Sequence, residues 1–249
     1  MPVGRYARPP ITEAVIEFRF GSPLSDRMVK RFLHVVAKEY PTTEQTYEIS
    51  AQLRITGPGQ NPEVSTNQSL TGYKLTGQDS ADFMIFRVDR IGIIRNSPYC
   101  GWNNFFERAK SYYEKLKKIS GLRSLTRIAT RYVNRLDIPV KPGDLVRSED
   151  YLQIEPLVPT AVPRLSAFFT TFRGIVPEIE GQVIVNSGTV QSPLIDHISF
   201  LLDIDLFREQ ALPQRDQDVW DLLDRLRAQK NALFESFVTD RARELFDRA

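Results

Sequence analysis

The 249-residue sequence contains one cysteine and two histidines, and no apolar run approaches the roughly 20 residues that a membrane span requires. The lone Cys100 cannot form a disulfide within the chain, so nothing indicates an oxidising compartment. The first residues also lack the apolar segment of a secretory signal. We therefore expect a cytoplasmic protein that does not enter a membrane.

The same scarcity restricts the chemistry that the chain can perform. So few cysteines and histidines cannot supply a structural zinc site. The sequence also lacks the G-x-S-x-G turn of a nucleophilic serine and the Gly-Lys-Ser/Thr end of a phosphate-binding loop. We expect no cofactor and no assembled catalytic set, which favours a non-catalytic protein.

A repeated strand pattern is the most informative feature that is present. Apolar and charged residues alternate over Ile11–Phe20, and a similar strand, ATRYVNRLDI, begins 118 residues later at Ala129. The two tryptophans, Trp102 and Trp220, stand at the same offset. Two landmarks at one offset indicate an internal duplication, with units at residues 1–121 and 122–249.

Each unit has the pattern of a strand, a helix, three strands and a helix. In the first unit we predict helices at Asp26–Tyr40 and Asn103–Ser120, with Asp82–Arg95 as one strand. In the second we predict a weak helix near Glu149–Ile154 and a long helix from Asp216 that breaks near Thr239. The predicted fold is α+β: two β-α-β-β-β-α repeats forming one curved antiparallel sheet with helices on one face. This layout resembles the saddle of the TATA-box-binding protein fold.

The charges of the two leading strands are inverted in sign. If these strands pair antiparallel with Val15 opposite Val133, Glu13 lies opposite Arg135 and Glu17 opposite Arg131. Opposed charges of this kind stabilise a sheet by about 0.2–1 kcal/mol per pair. The two units also differ in net charge, +5 and −3, which favours halves that face each other or a homodimer that pairs them.

Asp203 and Asp205 form the pair that most resembles a catalytic site. Residues two apart on a strand share a face at about 7 Å, and paired carboxylates hold divalent metals in phosphoryl-transfer enzymes. No third carboxylate stands at a useful spacing. The simpler interpretation is that both aspartates face the arginines of the neighbouring strand.

Several motifs resemble those of a sporadically distributed bacterial family whose members have about this length. They are PPITEAVIEFRF from Pro9, RIATRYVNRLDIP from Arg127, FLLDIDLF from Phe200 and LFESFVTDRARELF from Leu233. The resemblance spans nearly the whole chain but brings no established activity, cofactor or catalytic residue. Members tend to have a histidine in the closing helix where this sequence has RAQKNALFE. The patchy distribution implies a mobile accessory system, such as defence or toxin–antitoxin loci.

The leading hypothesis is a non-catalytic interaction protein that binds a protein or an extended peptide. Its predicted binding surface lies on the charged strands and comprises Glu13, Glu17, Arg131, Asn134, Arg135, Asp203 and Asp205. One alternative is nucleic-acid binding on the same surface, with Tyr73 and Tyr132 for stacking, although the acidic residues would repel phosphates. Another alternative is a metal-dependent phosphoryl-transfer enzyme centred on Asp203 and Asp205.

Overall fold

The computed structural model describes residues 6–54, 63–141, 146–154 and 166–247, which contain one nine-stranded antiparallel sheet and four α-helices. The strands are β1 (Ile11–Phe20), β2 (Thr42–Arg54), β3 (Glu63–Thr76), β4 (Asp82–Arg87), β5 (Arg90–Asn96), β6 (Leu125–Pro139), β7 (Phe169–Val176), β8 (Gly181–Val190) and β9 (His197–Arg208). The helices are α1 (Asp26–Val36), α2 (Trp102–Ser120), α3 (Asp216–Phe237) and α4 (Asp240–Asp247). The α+β class and the antiparallel sheet agree with the sequence pattern.

The leading strands of the two predicted units, β1 and β6, pair antiparallel at the centre of the sheet. The strand order is β2-β3-β4-β5-β1-β6-β9-β8-β7. In each predicted unit the last strand therefore lies next to the first, and the earlier strands follow in reverse order towards the edge of the sheet. The first unit has one strand more, and β2 lies at its edge. The duplication and the saddle-shaped curvature stay predictions.

The first unit has one strand more than predicted. Asp82–Arg95, predicted as one strand, is a hairpin of β4 and β5 in which Arg87 pairs with Arg90. The turn consists of Val88 and Asp89, which differ from the Asn-Gly or Asp-Gly pairs typical of two-residue hairpins. Because the turn carries no such signal, the pattern predicts a single strand where the structure has a hairpin. The predicted β-α-β-β-β-α order is wrong for this unit, which is β-α-β-β-β-β-α.

The helix boundaries also differ from the prediction. The first helix ends at Val36 rather than Tyr40. The weak helix predicted at Glu149–Ile154 is a 3₁₀ turn at Ser148–Asp150, because Gln153 donates its backbone N–H to Phe237 at 2.7 Å and the chain there is extended. The predicted break near Thr239 is confirmed: α3 ends two residues before it and α4 begins one residue after it.

Helices α1, α2 and α3 pack on the same face of the sheet through aromatic contacts. Phe32 of α1 lies 4.6 Å from Phe86 of β4, measured between ring centroids. Phe18 of β1 contacts Tyr113 of α2 at 4.6 Å and Trp220 of α3 at 6.2 Å. The buried core lies between this face and the helices. No described helix is both long and apolar enough to cross a membrane.

The register between β1 and β6 differs by two residues from the predicted one. Val15 lies opposite Arg131, and Glu17 lies opposite Ala129. The predicted cross-strand pairs of Glu13 with Arg135 and Glu17 with Arg131 are therefore wrong. A two-residue slip keeps every side chain on its own face, so the apolar pattern cannot distinguish the two registers.

Candidate functional site

The predicted surface residues lie on three adjacent central strands, β1, β6 and β9. The face that they share is opposite to the face on which the helices pack, since the buried Ala14, Ile16 and Phe18 alternate with the charged residues of β1. We call it the charged face, and it bears Glu13, Glu17, Arg131, Arg135, Asp203 and Asp205.

Asp203 is buried on this face and is fully engaged within the protein. It is 2% exposed, and Arg131 of the neighbouring strand donates Nε and Nη2 to its two oxygens, each at 2.8 Å. Asn186 of β8 donates Nδ2 to one of the same oxygens at 2.9 Å. Bidentate contact of this kind is the strongest form of charge-assisted hydrogen bond, and it raises the pKa of Arg131.

Arg127 connects two further acids of the charged face, Glu17 and Asp205. Its guanidinium donates to Glu17 at 2.6 Å and to Asp205 at 2.7 Å. The Oδ1 atom of Asp205 is buried without a hydrogen-bond partner among the described residues, and burial raises the pKa of this carboxyl although Arg127 opposes the shift. Arg127 thus neutralises Glu17, which the predicted register paired with Arg131.

Arg135 and Asn134 are the remaining predicted residues of β6. Arg135 donates to Asp137 of its own strand at 2.9 Å. The placement of Asn134 on the charged surface is wrong: Asn134 is 2% exposed, lies on the opposite face of β6 and donates Nδ2 to the Leu202 carbonyl at 2.9 Å. Adjacent residues of a strand point to opposite faces, so Asn134 and Arg135 cannot share a surface.

The charges of this face are largely neutralised by one another. As expected from the sequence, Asp203 and Asp205 face arginines of β6, and these arginines occupy three of their four carboxylate oxygens. Within the described residues, no group of three or more His, Cys, Asp or Glu side chains is placed to hold a metal ion. The arrangement is that of a structural ionic network on the sheet face opposite to the described helices.

A large cavity lies on the other side of the sheet. It has a volume of about 690 Å³ and lies between the chain before β1, the start of α2, strand β6 and the second half of α3. The approach to α2 is held by Arg95, which donates Nε to the Pro98 carbonyl at 2.9 Å, and by Gly101, whose φ of 84° favours glycine. The polar side chains of the lining are Tyr6, Tyr99, Asn103, Asn104, Tyr132, Asn134, Arg227, Lys230, Asn231 and Glu235.

Lys230 of α3 is a buried lysine in the wall of this cavity. It is 7% exposed, its Nζ lies 4.0 Å above the centroid of the Tyr132 ring, and no carboxylate of the described residues lies within ion-pair distance of it. Burial lowers the pKa of Lys230 to about 7; Arg227 acts in the same direction and Glu235 against it. At neutral pH a large share of this amine is therefore uncharged and nucleophilic.

Two tyrosines of the cavity lining form a hydroxyl pair, and one of them is Tyr132, whose ring lies beneath the lysine. The Tyr99 and Tyr132 hydroxyls lie 3.1 Å apart, and their rings meet edge to face. Burial raises the pKa of Tyr99 to about 12 and raises that of Tyr132 as well, so both hydroxyls keep their protons. One hydroxyl donates a hydrogen bond to the oxygen of the other, and the second hydroxyl can donate its proton to another group.

The charge balance of the cavity is positive. The Arg227 guanidinium lies over the Trp102 ring at 5.5 Å, and no carboxylate of the described residues pairs with it. Glu235 is the one acid among the described residues of the lining, and it accepts hydrogen bonds from Tyr6 at 2.8 Å and from Arg243 at 3.0 Å. Because Arg243 already neutralises Glu235, Arg227 and protonated Lys230 are left to attract a negatively charged ligand.

Sequence reasoning missed this site, although one signal was present. Val219, Leu223, Leu226 and Phe234 follow the helical spacing of the buried side of α3, and Lys230 stands at the position where that stripe calls for an apolar residue. Lysine is almost never fully buried unless it is paired. A lysine inside an apolar stripe was therefore a sign of a functional amine.

Comparisons with known proteins add little to this picture. No protein-family model matches the chain, and the comparison with curated proteins gives no match either. Among solved structures, the chain is similar to the crystal structure of DynU16, a protein in the dynemicin biosynthetic locus, with 11% identity over 96% of this chain and 98% of that one. The TM-score is 0.24, and at that value the likeness supports no conclusion about fold or function.

Proposed function

We propose that this protein binds a small organic anion in the cavity between β6 and α3. One observation carries the proposal: Lys230 is more than nine-tenths buried, lacks a carboxylate partner among the described residues and lines this cavity together with Arg227. Burying an ammonium without a counter-ion costs several kcal/mol. A bound carboxylate or phosphate offsets that cost by supplying the missing negative charge.

The residues that line the cavity also indicate that the ligand has an apolar part. Ligand cavities typically have volumes of about 300–1,000 Å³ and combine aromatic walls with a few polar groups that set orientation. The cavity of about 690 Å³ falls in this range, and its walls include the rings of Trp102, Tyr132 and Phe234. An aromatic acid satisfies both features.

Anion binding is expected to depend on both cationic side chains. Isothermal titration calorimetry with phenylpropionate and phenyl phosphate tests this, and we expect saturable binding to the wild type. Arg227→Met and Lys230→Met should each weaken it at least about tenfold, since a charge-assisted hydrogen bond contributes about 1.5–3 kcal/mol. At pH 8 binding should take up protons, because the anion favours the charged form of Lys230.

Matched controls separate the cavity from the general surface. Arg225→Met removes an exposed arginine of the same helix, and Lys118→Met removes an exposed lysine of α2. Both variants are expected to bind like the wild type. Equal binding by the Lys230→Met and Lys118→Met proteins, or no saturable binding at all, would reject the cavity as the site.

Partner binding on the charged face is the second candidate function. It is favoured by one observation: the described helices with contacts to the sheet pack on the opposite face, while Arg131 remains 46% exposed in its side chain although it holds Asp203. The partner would be a protein or peptide of a bacterial accessory system. The nucleic-acid and phosphoryl-transfer hypotheses gain no support from the internally paired charges.

Charge reversal on this face tests the second candidate. Arg131→Glu combined with Arg135→Glu is expected to abolish capture of a partner from the native host, because the reversed charges repel the surface that the wild type attracts. Circular dichroism verifies that the double variant is folded. The Lys230→Met protein serves as the control and should keep its partner. Unchanged capture by a folded double variant would eliminate the charged face.

The proposed duplication fits a single site whose amine and underlying ring both come from the second unit. At the offset of 118 residues, Tyr112 stands where the second unit has Lys230, and Ala14 stands where it has Tyr132. The first unit therefore lacks both the amine and the ring beneath it. If the units are copies, the ligand site arose by divergence of the second one.

A further inference from the structure

The most reactive group in the proposed site is the amine of Lys230, and its surroundings indicate more than attraction of an anion. A lysine that serves as a permanent cation is usually held by carboxylates or exposed to water. Neither condition holds for Lys230, because it is 7% exposed and has no carboxylate partner among the described residues. Lysines desolvated in this way act as nucleophiles towards carbonyl groups.

We infer that Lys230 forms an imine with the carbonyl carbon of an oxo acid bound in the cavity. This inference rests on the proposed function, since the acid group of the same ligand is held through Arg227. The two residues are three positions apart on α3 and so lie on one side of the helix. The ligand class is thereby narrowed to an aromatic acid with a ketone or aldehyde group.

The step balances with groups that line the cavity. The uncharged Nζ attacks the carbonyl carbon and a C–N bond forms as the C=O π pair moves to oxygen. The oxygen takes up a proton and becomes a hydroxyl, while the nitrogen releases one of its two protons. Loss of that hydroxyl together with the second nitrogen proton, as water, gives the neutral imine without an oxidant or a reductant. The Tyr99 and Tyr132 pair, joined at 3.1 Å, has one hydroxyl proton left to donate towards the carbonyl oxygen.

The surroundings of the amine also suit this reaction at neutral pH. The depressed pKa of Lys230, about 7, leaves much of it unprotonated. The attack is therefore expected to accelerate as the pH rises from 6 to 8. An exposed lysine remains charged over this interval, which makes the pH profile a second readout.

Reductive trapping tests the inference. The full chain is incubated at pH 7.5 with phenylpyruvate and sodium cyanoborohydride, and adducts are located by intact mass and peptide mapping. We expect one dominant adduct on Lys230, none at this position in Lys230→Met, and at least tenfold slower labelling in Arg227→Met. Arg225→Met and Lys118→Met should label like the wild type.

The failure of this inference differs from the failure of the proposed function. Phenyllactate has the same acid and ring but no carbonyl group. If phenyllactate and phenylpyruvate both bind in a Lys230-dependent way and no adduct forms on Lys230, the imine is rejected while anion binding stands. If neither compound binds saturably, both fail. Adducts confined to exposed lysines also overturn the imine.

Discussion

Replacement of Trp220 by alanine is expected to lower the free energy of unfolding by about 3–5 kcal/mol, the range measured when large aromatic residues are removed from cores. The indole is 5% exposed. It contacts Phe18 of β1 at 6.2 Å, Phe106 of α2 at 5.9 Å and Tyr113 of α2 at 5.4 Å. Because it joins α3 to both β1 and α2, its loss leaves a cavity between these three elements.

Urea denaturation followed by circular dichroism measures this effect, since the substitution itself changes tryptophan fluorescence. Phe169→Ala is the matched control, because Phe169 is 65% exposed on the edge strand β7. Its removal should change stability by no more than about 0.5 kcal/mol. If Trp220→Ala lowers the free energy of unfolding by less than about 1 kcal/mol, the contacts of the indole with β1 and α2 do not stabilise the fold as expected.

The second large effect concerns Lys230 and depends on pH. The pKa of Lys230 is about 7 in the folded protein and 10.5 when solvated. Between these values the unfolded chain binds more protons than the folded one, so the stability of the wild type rises as the pH increases through this window. Lys230→Met removes the titrating group and should be more stable than the wild type at pH 6.

The difference between variant and wild type is expected to shrink by about 3 kcal/mol from pH 6 to 9.5, given about 1.4 kcal/mol per unit of pKa shift. The Tyr132 ring favours the charged amine and reduces this value. The comparison with the variant isolates Lys230 from the other titratable groups of the cavity, which are Tyr6, Tyr99, Cys100, Tyr132, Arg227 and Glu235.

Chemical denaturation of both proteins in steps of half a pH unit provides the measurement. Lys118→Met, which removes an exposed lysine of α2, is the control. A constant difference for Lys230→Met would mean that the buried amine titrates like a solvated one. The nucleophile assigned to the cavity would then lose its main physical support.

The central strands were predictable because their pattern is local. In β1 and β6 apolar residues alternate with charged ones, and period-2 alternation sustained over many residues is typical of a strand with one buried face. The β4–β5 hairpin was not predictable, since Val88 and Asp89 carry no turn signal. The register was not predictable either, because each register brings Glu17 within reach of an arginine on the same face: Arg131 directly opposite in the predicted one, and Arg127 diagonally across in the observed one.

The candidate site depends on contacts that no local pattern contains. Lys230 follows Tyr132 by about a hundred residues, and helix α2 separates Tyr132 from Tyr99. Only the packing of α3 over β6 brings the amine above the Tyr132 ring. The interpretation that Asp203 and Asp205 face arginines was correct because alternate residues of paired strands must share a face. Which arginine each acid contacts was decided by the register.

The sequence alone determined the antiparallel α+β class, the central pairing of β1 with β6 and the contact of Asp203 and Asp205 with arginines of β6, because alternation and helical spacing act over a few residues. The tertiary structure decided where a ligand can bind. A buried amine has a depressed pKa only when distant elements remove its water and supply no counter-ion, and those conditions arise when α3 closes over the sheet.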